Sequence, residues 1–324
     1  MKKILLAGGA GYIGTLLTSE LANRGHSVTV IDNMWFGDHI ESSNKIIKSK
    51  LDISNLQSSF LGNFDCVVFL AGLSNDPMAD YSPKMNFVEN TAVPINLAYL
   101  CKRAGVKRFV FASTCSVYGY TDDKLIDEDS KTLKPHFPYG ISKLAAETAI
   151  LNLEDSNFRP IALRKGTVGG WSPRMRFDLV VNAMTKSALT RGVITVNNPN
   201  IWRPLVDIKD VVKSYVRSVE CDINITGIFN VSQDNYTIGR LANDIQSEIQ
   251  SLTNRKIKLE VKNIQDFRNY KVTNDKAKTV LDFKAECTPK ESVRDILKNT
   301  IEANKEFDFE QQRYYNIKTF KSLF

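Results

Sequence analysis

The sequence predicts an α/β fold: a doubly wound parallel sheet with helices on both faces, followed by a smaller, interleaved C-terminal α/β part. Three observations carry this. Continuous apolar runs alternate with amphipathic stretches through the first half, as in strands buried on both faces between covering helices. A glycine-rich turn joins the first strand to the first helix. After about Gly166 strands become shorter and loops longer.

Residues 3–7 form a buried strand that ends in glycines. Residues 12–24 have helical spacing through Ile13, Leu16, Leu17 and Leu21, and Gly25-His26 closes that helix. A β-branched strand spans 27–31, a weak helix 54–61 and a buried strand 66–70. One long helix is expected over 85–104, ending at Gly105, then a strand at 108–112, a helix at 138–152 and another strand at 160–163. Further on, strands at 194–196, 228–231 and 257–261 alternate with helices near 179–190, 210–219, 238–250 and 291–303. This divides the chain into a dinucleotide-binding domain over 1–166, joined by parts of 200–235, and a mainly substrate-binding domain over 167–324. The aromatic and basic tail, 307–324, packs either on the body or on a partner chain.

With 43% hydrophobic and 24% charged residues, the 324-residue chain can bury a large core without staples. Five cysteines, an odd number with no Cys-x-x-Cys pair, fit a reduced, cytoplasmic protein. Three scattered histidines assemble no zinc site, and no metal is expected. No run reaches the roughly 18 apolar residues of a membrane helix, and the N-terminal apolar run is too short for a signal peptide. The net charge of +7 is spread along the chain. That argues against a nucleic-acid stripe and fits either an ordinary soluble surface or a positive cleft for a phosphate-bearing substrate.

Gly8-Gly9-Ala10-Gly11-Tyr12-Ile13-Gly14 sits between a strand and a helix. Gly8 permits a tight turn, Gly11 lets the backbone approach a pyrophosphate and Gly14 allows close packing, with the helix N-terminus facing the phosphates. Asp32, at the end of the second strand, accepts from the adenosine ribose hydroxyls and repels a 2′-phosphate, which favours NAD over NADP. Tyr139 and Lys143 are four apart and share one helical face. A free phenol, with a pKa of about 10, is too weakly acidic to serve as a base at neutral pH unless a nearby cation stabilises its anion. Thr114, after the strand at 108–112, offers a short hydroxyl between phenol and substrate.

Taken with Asn33, Asp52-Ile53, Leu70-Ala71-Gly72, Asn90, Ser113, Val117-Tyr118-Gly119, Pro138-Tyr139-Gly140-x-Ser142-Lys143 and Leu163-Arg164, the chain resembles the extended short-chain dehydrogenases/reductases, the NAD-dependent nucleotide-sugar epimerase/dehydratase family. The resemblance implies a Rossmann fold with Asp52 at the adenine, Ala71-Gly72 along the cofactor, and proton chemistry at Tyr139 and Lys143. It also implies Arg203, in Trp202-Arg203-Pro204-Leu205-Val206-Asp207, on a substrate diphosphate, and Arg268, in Asp266-Phe267-Arg268-Asn269-Tyr270, near the nucleotide.

Related 4,6-dehydratases carry a glutamate, often after an aspartate, in the two positions following the catalytic Ser/Thr. Cys115 and Ser116 stand there, which disfavours dehydration. Hydride chemistry at sugar C4 remains, with a UDP-glucose 4-epimerase-like reaction through a 4-keto sugar as the first expectation. Ser172-Pro173-Arg174-Met175-Arg176-Phe177-Asp178 and Thr167 depart from the usual 4-epimerase pattern and resemble a subgroup that includes GDP-heptose C4 dehydrogenase/reductases. Ser116, Thr167, Arg174, Arg176 and Asn182 are therefore also candidate substrate contacts; the two arginines either grip a diphosphate or cap a loop. A non-catalytic NAD-binding regulator is the alternative from another class. The family's dimers pair through two helices, here 85–104 and 138–152, so a homodimer is expected.

Overall fold

The computed structural model describes residues 1–131, 133–262, 268–303 and 306–324. The chain opens with β1 (Lys3–Ala7), α1 (Tyr12–Asn23), β2 (Ser27–Asp32) and β3 (Ile46–Lys50). α2 (Ser58–Leu61) leads into β4 (Cys66–Phe69); α3 (Asp76–Tyr81), α4 (Pro83–Phe87) and α5 (Val93–Arg103) precede β5 (Arg108–Thr114). β6 (Tyr120–Ile126), α6 (Pro138–Leu151), β7 (Arg159–Lys165), β8 (Thr167–Gly169), α7 (Val180–Arg191) and β9 (Val193–Asn197) follow. Then come β10 (Trp202–Asp207), α8 (Ile208–Glu220), β11 (Gly227–Val231), β12 (Asp234–Thr237), α9 (Ile238–Thr253) and β13 (Lys258–Lys262). The chain ends with β14 (Asn269–Val272), α10 (Asp275–Val280), α11 (Pro289–Leu297) and α12 (Asn316–Leu323).

Seven strands form the central sheet in the order β11-β7-β5-β4-β1-β2-β3, each pair parallel. The strand order reverses between β1 and β4, which places a ligand crevice beyond the carboxyl ends of the strands there. Alternate residues of each strand serve opposite faces. Leu5, Val67, Phe109 and Phe111 pack on Leu97 and Ile150 of α5 and α6. Ile4, Leu6, Val68 and Val110 belong with Leu17 of α1 and Tyr215 of α8 to the core on the other face. β11 returns to the sheet edge beside β7 in register Gly227↔Ile161, far along the chain from its neighbour.

The helix expected over 85–104 forms in parts, with a π-helical turn, Val88–Ala92, between α4 and α5. Pro94 has no N–H for the Asn90 carbonyl and its ring crowds that oxygen, so a wider turn is favoured. β6 has no sequence signal, because its Tyr-Thr-Asp-Asp-Lys run lacks apolar alternation; its ladder partner is the distant β14. The helix over 54–61 splits into a 3₁₀ turn, Ile53–Asn55, and α2. The aromatic tail folds onto the body. Phe307, Phe309 and Tyr314 surround Phe177, and Phe320 of α12 packs with Leu73, Met78 and Trp35. All five cysteines are free thiols. Among the described residues no helix is long and apolar enough to cross a membrane.

Candidate active site

A cavity of about 940 Å³ opens at the crevice between β1 and β4, near the top of the roughly 300–1,000 Å³ range of ligand pockets. Its floor is the turn from β1 into α1. Gly8 has φ +86°, and a Cβ there would land inside the Ala71 backbone. A Cβ on Gly14 would lie 2.5 Å from Gly9 O, so the close approach is made within the turn itself. Gly11 faces the cavity with only Gly8 O near its missing Cβ, at 3.5 Å. Tyr12 and Ile13 also line the cavity. The geometry fits a dinucleotide diphosphate against bare backbone and the start of α1.

Asp32 Oδ2 accepts from Ala10 N (3.0 Å) and Oδ1 from Met34 N (2.7 Å). Burial pushes its carboxyl up, and the two backbone donors and Arg174 oppose that shift. Each oxygen keeps a lone pair for a ribose hydroxyl. Asn33, Asp52, Ile53, Leu70, Ala71 and Gly72 line the same end. Asn90 does not line the cavity. It stands behind Gly72, fully buried, donating to Leu73 O (2.8 Å) and Asn86 Oδ1 (2.7 Å).

Ser113 and Thr114 close β5 at the cavity, and Tyr139 and Lys143 enter it from α6. Burial is the main effect on Tyr139 and pushes its phenol up; Asp76 adds to this, while Arg176 and a hydrogen bond from Thr114 pull it back. In the protein alone the phenol is thus held protonated, opposite to the shift deprotonation requires. Burial brings Lys143 down to about 7. Its ammonium lies 5.0 Å from the Phe111 ring centre. Among the described residues it has no hydrogen-bond acceptor, so ribose hydroxyls of a bound dinucleotide fit it. Ser116 N donates back to Thr114 Oγ1 (3.1 Å). Cys115 is fully buried and donates to Arg164 O.

The predicted substrate residues separate. Thr167, Arg203 and Arg268 line the cavity; Arg203 donates to Trp202 O and Arg268 O, and Arg268 pairs with Asp76 at 2.8 Å. Asp266 and Phe267 of the same expected stretch lie outside the described residues. Arg176 lines the cavity but spends two donors on Asp178 and one on Ser74 Oγ. Arg174 lies away from Arg203 and Arg268, between Phe36 and Asn316. Asn182 is behind the wall, accepting from Gly170 N and donating to Tyr12 Oη and Arg176 O. It orders the loop instead of reaching a ligand.

Among the cavity residues that the sequence reading did not single out, three carry charge or polar contacts worth naming. Asp76 enters from the first turn of α3. Lys165, at the end of β7, donates to Ser113 O (2.8 Å) and Tyr215 Oη (3.2 Å), and burial brings it down to about 7. Asn316 comes from the tail helix. Asp76 follows the quoted Leu-Ala-Gly signature by four residues, which was the available signal.

Comparison with known proteins agrees with this geometry. A UDP-glucose 4-epimerase of Azospirillum brasilense is 31% identical over 179 residues, covering 54% of this chain and 51% of that enzyme. The chain spans about half the length of the curated relatives it matches in this way. The solved structure of MoeE5 in complex with UDP-glucose and NAD superposes with TM-score 0.77 at 25% identity, over 90% of this chain and 96% of that one. TunA, an NAD dependent NDP-hexosamine 5,6-dehydratase of tunicamycin biosynthesis, shares the fold with TM-score 0.79 at 24% identity, over 92% and 97%. The profile of one family matches residues 4–232, which is most of the chain: the protein belongs to the NAD dependent epimerase/dehydratase family.

Proposed function

We propose that the protein is a nucleotide-sugar oxidoreductase acting at the sugar C4 hydroxyl through a 4-keto intermediate, as a 4-epimerase of the UDP-glucose 4-epimerase type. The observation that carries this reading is one cavity holding the glycine turn, Asp32, Thr114, Tyr139 and Lys143, with Cys115 and Ser116 where a dehydratase would carry carboxylates.

Gly8, Gly11, Gly14, Asp32, Asp52 and Lys143 would hold NAD. Bound NAD would supply reversible hydride chemistry at C4, and its positive ring would offset part of the burial cost of a phenolate. Tyr139 Oη takes the proton of the C4 hydroxyl and later gives it back. Thr114 Oγ1 bridges the phenol and the substrate oxygen. Lys143 Nζ supplies a charge and donors beside the phenolate. Arg203 and Arg268 hold the substrate diphosphate while the sugar turns between the two hydride transfers. If the ketone leaves instead, the same residues make a C4 dehydrogenase or, in reverse, a reductase, as the Ser172–Asp178 segment suggests.

One observation favours a second reading. Asp76 brings a carboxylate close enough to Tyr139 to raise it, so the cavity holds a base even though positions 115 and 116 do not. In that reading Asp76 removes a proton next to the 4-ketone and water leaves. Incubation with NAD and a panel of UDP-, dTDP- and GDP-sugars tests all three. An epimer of unchanged mass supports the first reading, reduced nicotinamide with a free ketone the second outcome of the same chemistry, and loss of water the dehydratase.

We also propose a homodimer through α5 and α6. Leu97 and Leu151 face the protein's own core, but Phe87, Tyr99 and Ile141 are exposed on the outer side. A monomer by sedimentation would remove this part and leave the chemistry.

A further inference from the structure

Arg174 is 2% exposed and yet borders the cavity. Its guanidinium lies flat over Phe36, 3.7 Å from the ring centre. Nη2 donates to Asn316 Oδ1 (2.6 Å) and Nη1 to Met175 O (3.3 Å), both neutral acceptors. Nε is buried with no acceptor among the described residues. No ion pair to Arg174 occurs among them. A buried cation satisfied only by neutral groups is costly, and it persists where an anion arrives to neutralise it.

The surroundings say which anion. Phe36 lies on the loop that leaves Asp32, a loop forced through a left-handed residue at Met34 (φ +56°). Ser172, two residues before Arg174, donates to Tyr12 O at the first residue of α1 (2.8 Å). Beyond hydrogen-bond reach, burial and Arg176 weigh against the Arg174 charge, and Asp178, then Asp32 and Tyr12, only partly offset them. The Asp32 loop and the start of α1 are the elements that hold the dinucleotide. Arg203 and Arg268, the arginines of the sugar-nucleotide end, belong instead to β10 and the segment leading to β14. Asn316 is itself anchored from its other end, because its Nδ2 donates to Ser74 Oγ (2.8 Å), a hydroxyl that also accepts from Arg176.

We propose that Arg174 is the counter-charge of the cofactor's diphosphate, not of the substrate's, and that the tail helix α12 holds it in place through Asn316. The glycine turn offers the diphosphate neutral N–H groups and a helix end, and Arg174 adds the full positive charge beside them. The C-terminal tail thereby becomes part of the cofactor site. This rests on the dinucleotide reading of the cavity given above.

Calorimetric titration of wild type, Arg174→Met and Asn316→Ala with NAD, ADP, adenosine and UDP tests it. Arg174→Met is expected to weaken NAD and ADP by roughly tenfold or more, a loss of one charge-assisted contact, while adenosine and UDP stay within about twofold. Asn316→Ala is expected to weaken the same two ligands less. Because methionine fills a similar space without the charge, the variant should fold; if it does not, Arg174→Lys, which keeps the charge and loses the planar fork, should weaken NAD and ADP by an intermediate factor. Wild-type affinity for NAD and ADP in the Arg174 variant, or a loss confined to UDP, would overturn the proposal. A wild-type protein that binds neither NAD nor ADP would instead remove the dinucleotide reading itself.

Discussion

Arg164 and Glu147 meet in the interior behind β5, the guanidinium donating to Glu147 Oε1 at 2.5 Å with both side chains almost fully buried. The pair ties β7 to α6 one turn beyond Lys143. Ser113 donates to the same carboxylate, and Arg164 also donates to Tyr118 Oη, which in turn donates to Asn230 Oδ1. Removing one member leaves the other charge buried and unpaired. Glu147→Ala is therefore expected to cost about 3–5 kcal/mol in denaturant unfolding. Glu147→Gln keeps an acceptor for Ser113 and should cost clearly less.

Tyr139→Phe should lower turnover by roughly 10²–10⁴, the usual worth of a positioned acid/base. Calorimetric NAD affinity should stay within about threefold, because the lost hydroxyl serves the substrate oxygen. Full turnover in this variant would refute the role given to the phenol.

Lys143→Met separates function from stability. Burial holds this ammonium down to about 7, against about 10.5 for a free lysine. The unfolded chain then binds more protons than the folded one between those values. Wild-type stability from this group thus rises with pH across that window, and its full penalty applies below about pH 7. The variant should lose most activity, yet without cofactor it should unfold later than wild type at pH 6, by on the order of 2 kcal/mol. That gap should close toward pH 10. A gap that is constant with pH would contradict the burial argument.

Glu220 gives the opposite slope. Arg24 chiefly, helped by His26, pulls its carboxyl down to about 2 against burial. Arg24 donates through Nε and Nη2 to both carboxylate oxygens, joining the end of α1 to the end of α8. The contribution is fully present above the ordinary glutamate range and is lost as pH falls from about 4.5 toward 2. Because both partners are partly exposed, about 1 kcal/mol is expected at pH 7 after screening. Glu220→Gln should be less stable than wild type by that amount in urea at pH 7, and equal to it near pH 2.

Most of the central sheet was legible because its inner strands read as unbroken apolar runs, such as Cys66–Phe69, whereas the partly exposed edge strand β3, Ile-Ile-Lys-Ser-Lys, gave no such run. The cofactor turn was legible because glycine alone fits at Gly8 and Gly14. Thr114, Tyr139 and Lys143 stood out because they sit at a strand end or on one helical face, and the structure brings them to one cavity. The π turn was not seen, since its cause is one proline inside an otherwise regular helical pattern. β6 and β14 were missed because β6 opens on a polar run and β14 is only four residues long, too short for its alternation to stand out. The roles of Arg174 and Arg176 were unreadable for a different reason. Two arginines spaced by one residue look equivalent in sequence, and only tertiary partners, Asp178 for one and Phe36 with Asn316 for the other, tell them apart.

The most direct test follows the hydrogen at C4. UDP-glucose carrying deuterium at C4, and its dTDP and GDP counterparts, should be turned over by the NAD-loaded protein with that deuterium either back on an inverted C4 or on the reduced nicotinamide. Deuterium delivered to C6, or left on an uninverted C4 while the sugar changes elsewhere, would contradict the account.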